Sequence, residues 1–262
     1  RFRQGTPEKI GGWQRISADT FLGVCRSIWN WVTLGGINLL GVGTNVKFYL
    51  EAGGIYNDIT PFRDQVTLTN PFETFNGSPI VEVTDANIGY IDGDYVMFYG
   101  ATAVGGLTLF GEYQITTIGA TSYTVTASSN ATSDAVGGGT VYALYQVNVG
   151  PAYVVPLVGW GAGPWGSGGW GVGTPAAFPI RIWNQNNFGD NLIFGPRSGA
   201  LYYWDSTTGL TARGVLVSSL SGASDVPLFQ NYLLVSDASR FVFAFGCNDY
   251  GSSTQSPMLI RW

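Results

Sequence analysis

Histidine is absent from all 262 residues. That removes the commonest general base at neutral pH and the commonest transition-metal ligand. Charge is scarce as well: charged side chains make up 11% of the chain, which carries a formal net charge of −5. Lysine occurs only at Lys9 and Lys47, and no basic run is present. Duplex affinity comes largely from Lys and Arg neutralising phosphates, so this balance disfavours wrapping nucleic acid and is compatible with a polyanion passing without sticking. Cys25 and Cys247 lie far apart with no C-x-x-C, which signals neither a zinc site nor a disulfide framework. Each has apolar or small neighbours and reads as a buried structural thiol. No apolar run reaches membrane-spanning length, and the opening R-F-R-Q-G-T-P-E-K has neither an initiator Met nor the apolar core of a signal peptide. That opening and the strand-like P-M-L-I-R-W at the other end suggest a segment of something longer, continuing beyond Trp262.

What is abundant is glycine, with 38 residues, and aromatics, with 9 Trp, 14 Tyr and 15 Phe. Aromatic and β-branched runs punctuated by turn formers are the composition of an all-β protein. One outline occurs three times. Asn38, Leu39 and Leu40 open an apolar run that reaches Phe48 and Tyr49 across G-T-N; Asn191, Leu192 and Ile193 lead at the same offsets to Leu201 and Tyr202; Asn231 leads past Leu233 and Leu234 to Phe241 and Val242. Two apolar runs across a polar turn read as an antiparallel hairpin, and the last two copies are separated by about the length of a β-propeller blade.

These features predict a β-propeller-like frame, incomplete or truncated, interrupted by an inserted small β-barrel or sandwich. Residues 1–61 hold the N-terminal strands and first blade, 62–150 the insertion, 151–178 a linker and 179–262 the returning blades. Within Phe21 to Leu34, Ile28, Asn30 and Val32 alternate with Trp29, Trp31 and Thr33, which predicts a strand buried on both sides or at a subunit contact. The insertion is expected to contain strands at Ile80 to Thr84, Tyr95 to Tyr99, Thr108 to Ile118, Ser122 to Ala127 and Thr140 to Gln146. The linker carries Trp160, Trp165 and Trp170 between glycines, suited to laying indoles on a neighbouring surface or stacking on sugar rings.

Few constellations suggest chemistry. Asp92 and Asp94 in I-D-G-D-Y place two carboxylates on one turn but lack the further ligands of a calcium loop, so a solvated turn is expected; Asp237 and Asp249 sit in similar contexts. A glycosidase needs two carboxylates across a cleft, and Glu51, Asp58, Glu112 and Asp205 are scattered candidates. Arg26, Arg63, Arg181, Arg197 and Arg261 border aromatic runs and read as structural or intersubunit clamps, with Asp58 or Asp205 as candidate partners. No catalytic residue, cofactor site or metal site is assigned.

The opening R-F-R-Q-G-T-P-E-K-I-G-G-W-Q, the segments G-V-G-T-N-V-K-F-Y-L and D-I-T-P-F-R, the tract G-W-G-A-G-P-W-G-S-G-G-W-G, and I-R-I-W-N-Q-N-N-F-G-D-N-L-I-F with G-A-L-Y-Y-W-D resemble tail proteins of tailed bacteriophages. The resembled class is the propeller-bearing nozzle, or tail tubular protein B, of short-tailed phages. It implies a virion location in the tail, a non-enzymatic ring of copies, commonly six, around a genome-exit channel, and neighbours that include the tail adaptor and fibres. DNA would pass without sequence-specific binding, and no membrane segment is expected. The alternative is a carbohydrate- or receptor-binding tail protein whose exposed Trp residues stack on sugars; a polysaccharide depolymerase is a third.

Overall fold

The computed structural model describes residues 2–3, 5–7, 12, 15, 17–86, 89–117, 119–151, 180–236 and 238–262. The chain is all-β, with several small antiparallel sheets and no closed barrel among the described residues. A short ribbon of β1 (Phe2–Arg3) and β2 (Thr6–Pro7) opens it. The first large sheet is a four-stranded meander of β3 (Cys25–Val32), β4 (Asn38–Thr44), β5 (Phe48–Ala52) and β6 (Ile55–Asp58). Its last turn is Gly53-Gly54, with φ of 61° and 93° between the paired residues Ala52 and Ile55. Two consecutive positive φ angles match the twist of the flanking strands and suit glycine.

Two facing sheets follow. β7 (Phe62–Thr69), β10 (Tyr95–Tyr99), β11 (Gly111–Gln114) and β15 (Thr140–Gln146) form one, in the order β11-β10-β15-β7. β8 (Phe72–Thr74), β9 (Ile80–Thr84), β12 (Thr116–Thr117), β13 (Ser122–Thr126) and β14 (Ala135–Gly137) form the other, in the order β12-β13-β9-β8-β14. Phe72, Val81 and Tyr123 from the second sheet pack with Phe98, Val141 and Tyr145 from the first in one core, so the pair is a sandwich. The single strand expected from Thr108 to Ile118 is two: β11 and β12 belong to opposite sheets, and the chain crosses between them at the buried Ile115.

The chain then returns to meanders. β16 (Trp183–Phe188), β17 (Asn191–Pro196), β18 (Tyr202–Trp204) and β19 (Val215–Leu216) make a four-stranded sheet, and β20 (Tyr232–Val235), β21 (Val242–Phe245) and β22 (Ile260–Arg261) make a three-stranded one. We call the three meanders the first, second and third sheets. They stack face to face. Trp31, Leu39, Phe48 and Leu50 of the first sheet share a core with Trp183, Leu192, Phe194 and Trp204 of the second. Ile193, on the second sheet's other face, shares a core with Leu233, Val235 and Ala244 of the third. Strand β16 lies against β3 and β4 on one side and β20 on the other.

β16, W-N-Q-N-N-F, is polar although both of its faces are covered, so its amides must find hydrogen-bond partners inside. Asn184, Gln185 and Asn186 are all buried. Asn184 Nδ2 donates to Asn231 O at 2.7 Å, and Gln185 Nε2 donates to Gly41 O and Ser27 Oγ, both at 3.3 Å. Glycine in β4 makes the close approach possible: a Cβ on Gly41 would lie 2.0 Å from Gln185 Oε1, and one on Gly43 would lie 2.6 Å from Trp183 Cβ.

Of the two expectations for β3, burial on both sides is not met among the described residues, whereas a subunit contact stays a proposal. Only its second-sheet side is covered: Trp31 is buried and its Nε1 donates to Asp190 O, while Ile28 and Val32 are 66% and 58% exposed. Among the described residues, the opposite face of this sheet is covered near Tyr49 and Tyr56, where the preceding strap lays Phe21 against both rings.

Candidate functional site

The densest polar site lies where the sandwich meets the stacked sheets. Lys47 directly precedes β5, and its side chain is only 3% exposed although the chain has just one other lysine. Its Nζ donates to Asp58 Oδ2 at 2.7 Å and to Glu112 Oε1. Arg213, just before β19, donates from Nη1 to Asp58 Oδ1 at 3.0 Å and from Nη2 to Glu112 Oε2 at 3.1 Å. The result is a closed ring of alternating charge, Lys47, Asp58, Arg213 and Glu112, in which all four carboxylate oxygens have a cationic donor. Thr60 adds backbone and hydroxyl bonds to Asp58 Oδ1, Gln146 Nε2 donates to Glu112, Lys47 sits 4.4 Å from the Tyr95 ring centroid, and Arg213 lies over Phe62. One carboxylate comes from the first sheet, the other from the sandwich, and Arg213 from the second sheet, so the ring braces three units together.

A second bracket lies at the sandwich's return. Asp94 is buried; its carboxylate accepts the N–H groups of Ile91 and Val149 and the Asn148 side-chain amide, with Arg63 Nη2 at 3.6 Å. Burial pushes its carboxyl above the ordinary range, opposed by those bonds and by Arg63. The solvated turn expected here is therefore a buried one at Asp94, while Asp92 is exposed. Asp94 ties the start of β10 to the segment leaving β15, and no calcium-like ligand set forms around it. Among the described residues, no group of three or more His, Cys, Asp and Glu is placed to hold a metal ion.

The arginine clamps are only partly as expected. Arg26 donates to Arg181 O and Pro151 O, which ties β3 to both ends of segment 152–179. Arg63 Nε donates to Gln146 O, and Arg261 pairs with Asp225 and donates to Asn248 O. Arg181 is half-buried over Trp183, and desolvation lowers its guanidinium to about 10. Arg197 is exposed. None of the five pairs with Asp58 or Asp205. Asp58 takes Lys47 and Arg213, while Asp205 caps the turn Ser206–Thr208 by accepting Thr207 N–H at 2.9 Å. The bonds from Thr207 hold the Asp205 carboxyl below its ordinary range.

Of the four scattered carboxylates, the fold brings Asp58 and Glu112 together and leaves Glu51 and Asp205 in separate turns, Glu51 accepting the Gly54 N–H. Asp249 accepts Tyr250 N–H, and Asp237 lies outside the described residues. Trp160, Trp165 and Trp170 also lie outside them. Cys247 is buried as expected, but Cys25 is exposed.

The repeat positions fall on or beside equivalent-looking hairpins with different jobs. Asn38 begins β4 and is exposed. Asn191 begins β17 and binds Tyr203 OH and Ser206 through its side chain. Asn231 precedes β20 and accepts from Ser198 and Gln255. Tyr49 and Tyr202 are both buried and both pushed up to about 12 by desolvation. They face differently: Tyr202 points into the core with the first sheet, whereas Tyr49 points away from it, under Phe21. The second strand of the first sheet is longer, which flips the parity of everything after the turn.

Sequence reasoning missed Lys47 and Arg213. The available signal was Lys47 itself, a rare lysine next to F-Y-L, with Glu51 and Asp58 as the nearby carboxylates; only the fold selects Asp58.

No family model matches the chain, and no curated protein matches it. Among solved structures, it is similar to the phage phi92 endosialidase at 15% identity and a TM-score of 0.29, over 85% of this chain and 32% of that one. The chain thus spans about a third of that protein's length, and a likeness at this level carries no argument about fold or activity.

Proposed function

We propose that the chain is a structural, non-catalytic component of a phage tail, of the propeller-bearing nozzle kind. Copies form a ring around the channel by which the genome leaves. In this reading residues 1–61 and 179–262 supply the frame, 62–150 the inserted module and 151–178 its linker. The adaptor and fibres are the neighbours, and DNA passes a weakly charged acidic wall without sequence-specific binding. The observation that carries the proposal is the closed charge ring of Lys47, Asp58, Arg213 and Glu112. Asp58 and Glu112 are the closest pair among the candidate acids, and every oxygen of that pair is held by a cation. That arrangement suits bracing an inserted module on a stack of sheets. Particle imaging with this chain labelled tests the proposal: a ring of copies at the tail supports it, and a monomer under conditions that preserve the tail overturns it.

A second reading, glycan binding, is favoured by one surface feature. A polar groove of about 570 Å³ crosses the sandwich beside the exposed ring of Phe110, with Gln114, Thr116, Thr126 and Ser128 among its lining. Hydroxyl and amide groups beside an exposed ring suit a sugar face. A glycan array decides: saturable binding lost in Phe110→Ala or Trp165→Ala favours this reading, and silence favours the ring.

A further inference from the structure

Lys47 and Asp58 face each other across the base of one hairpin. The Lys47 backbone is fixed by Thr44: its N–H donates to Thr44 Oγ1 at 2.9 Å and its carbonyl accepts the Thr44 N–H at 2.8 Å. Asp58 is fixed as the last residue of β6, paired with Tyr49 on β5. Their side chains meet at 2.7 Å, Nζ to Oδ2, and Glu112 Oε1 accepts from the same Nζ. The lysine side chain is only 3% exposed, and the Tyr95 ring lies beneath Nζ, so the contact is shielded from bulk water.

The two oxygens of Asp58 have different surroundings. Oδ2 faces Lys47, whereas Oδ1 accepts the Thr60 N–H at 2.9 Å, the Thr60 hydroxyl at 2.6 Å and Arg213 Nη1 at 3.0 Å. Fixed donors converging on one oxygen, a guanidinium among them, stabilise negative charge that develops on a carbonyl under attack. A nucleophilic nitrogen, an acyl carbon with such a cradle and a carboxylate able to carry protons therefore meet in one partly buried place.

The geometry points to an internal amide bond between Lys47 Nζ and Asp58 Cγ, formed by the folded chain on itself with Glu112 as the acid-base group. Lys47 passes a proton to Glu112, which delivers it to Asp58 Oδ2; both oxygens share Nζ. The free amine then adds to Cγ, and charge builds on Oδ1 against Thr60 and Arg213. Glu112 takes a second proton from the nitrogen and gives it to Oδ2, the Cγ–Oδ2 bond breaks, and water leaves. Nζ has lost two protons to that water, Glu112 ends ionised as it began, and no other reactant is needed. This is one turnover within one chain, which a structural part can undergo.

Proximity favours the step, since rigidly opposed groups reach effective concentrations of about 10⁵–10⁸ M. Charge balance favours it as well. One positive and one negative charge vanish together, their desolvation cost with them, and Arg213 keeps Glu112 as its counter-ion. Asp58 is the acyl partner because it shares a hairpin with Lys47 and its Oδ1 takes a backbone N–H, whereas Glu112 reaches in from β11 at the edge of its sheet. The bond closes the β5–β6 hairpin where the chain leaves the first sheet for the sandwich. The inference uses the charge ring's geometry and not the tail reading, which particle imaging tests separately.

Intact-mass spectrometry of the purified, denatured whole chain is the test. A mass one water below that of the sequence is expected, with a branched peptide joining Lys47 to Asp58 after proteolysis. Glu112→Gln is expected to slow the loss of water at least about a hundredfold, as for removal of a general acid-base group, while the circular dichroism of the chain is unchanged. The full sequence mass in the wild-type chain after prolonged incubation overturns the proposal, whether or not the variant folds. Water loss mapped to Lys47 and Glu112, or to a succinimide at Asp92-Gly93, overturns it too, and cross-linking at an unchanged rate in Glu112→Gln overturns the acid-base assignment.

Discussion

Lys47 shows how one side chain can link distant parts of a charge-poor chain. Replacing it with Met leaves Asp58 and Glu112 facing each other with Arg213 as their remaining cation. Breaking such a partly buried network is expected to cost about 2–4 kcal/mol. Chemical denaturation checks this, and the double variant Lys47→Met with Glu112→Gln is expected to recover part of the loss because one carboxylate charge is removed. Tyr202 offers a separate residue-level prediction. Burial favours its neutral phenol, raising it from 10.0 to about 12. Between those values the unfolded chain has released the proton and the folded chain has kept it, so stability falls as pH rises through the window. The effect is at most about 2–3 kcal/mol for this group. Tyr202→Phe should flatten the stability curve between pH 10 and about 12, measured by denaturation at a series of alkaline pH values.

At the scale of elements, the close contact of β4 and β16 rests on two glycines and one glutamine. Gly41→Ala is expected to destabilise the chain by about 1–3 kcal/mol, because its methyl would meet Gln185 Oε1. Adding Gln185→Ala removes that obstacle and should restore part of the stability. Gly43→Ala meets Ser27 Oγ and the Cβ of Trp183 instead, and truncating Trp183 to Ala keeps its Cβ, so the same kind of rescue should fail there. Thermal melts of the four variants separate these outcomes. The asymmetry follows from which atom each glycine faces, and alternation along N-L-L-G-V-G does not reveal it. The same limit explains β3. Its apolar residues on both faces read as two-sided burial or a subunit contact; among the described residues the strap covers the β5 and β6 end of the outer face and leaves Ile28 and Val32 in solvent.

For the whole molecule, exposure of Ile28 and Val32 connects the fold to the proposed ring. Ile28→Lys with Val32→Lys is expected to change the stability of the isolated chain by no more than about 0.5 kcal/mol per site, as for exposed positions. If copies meet at this face, the same variant assembles less; light scattering over a concentration series measures it. The sandwich is tied to the stack of meanders by the charge ring and by paired bonds between Asn45 and Gly150, so the charge ring helps set how firmly the sandwich is held. Amide exchange in β11 should rise in Glu112→Gln, while exchange in β17 should not.

Local pattern along the chain specifies the all-β class, the hairpins near Asn38, Asn191 and Asn231, and four of the five strands expected within residues 62–150. Alternating apolar residues between glycine-rich turns are local signals, and local physics forms those elements. The tertiary structure alone decided which face of each hairpin is buried, because one extra residue before a turn reverses side-chain parity, as at Tyr49 and Tyr202. It also decided that Asn184, Gln185 and Asn186 are interior, since only the sheets on either side of β16 make that strand central. The charge ring depended on it most of all: Glu112 and Arg213 are remote from Lys47 along the chain, and only the packing of the sandwich against two sheets brings their charges within bonding distance.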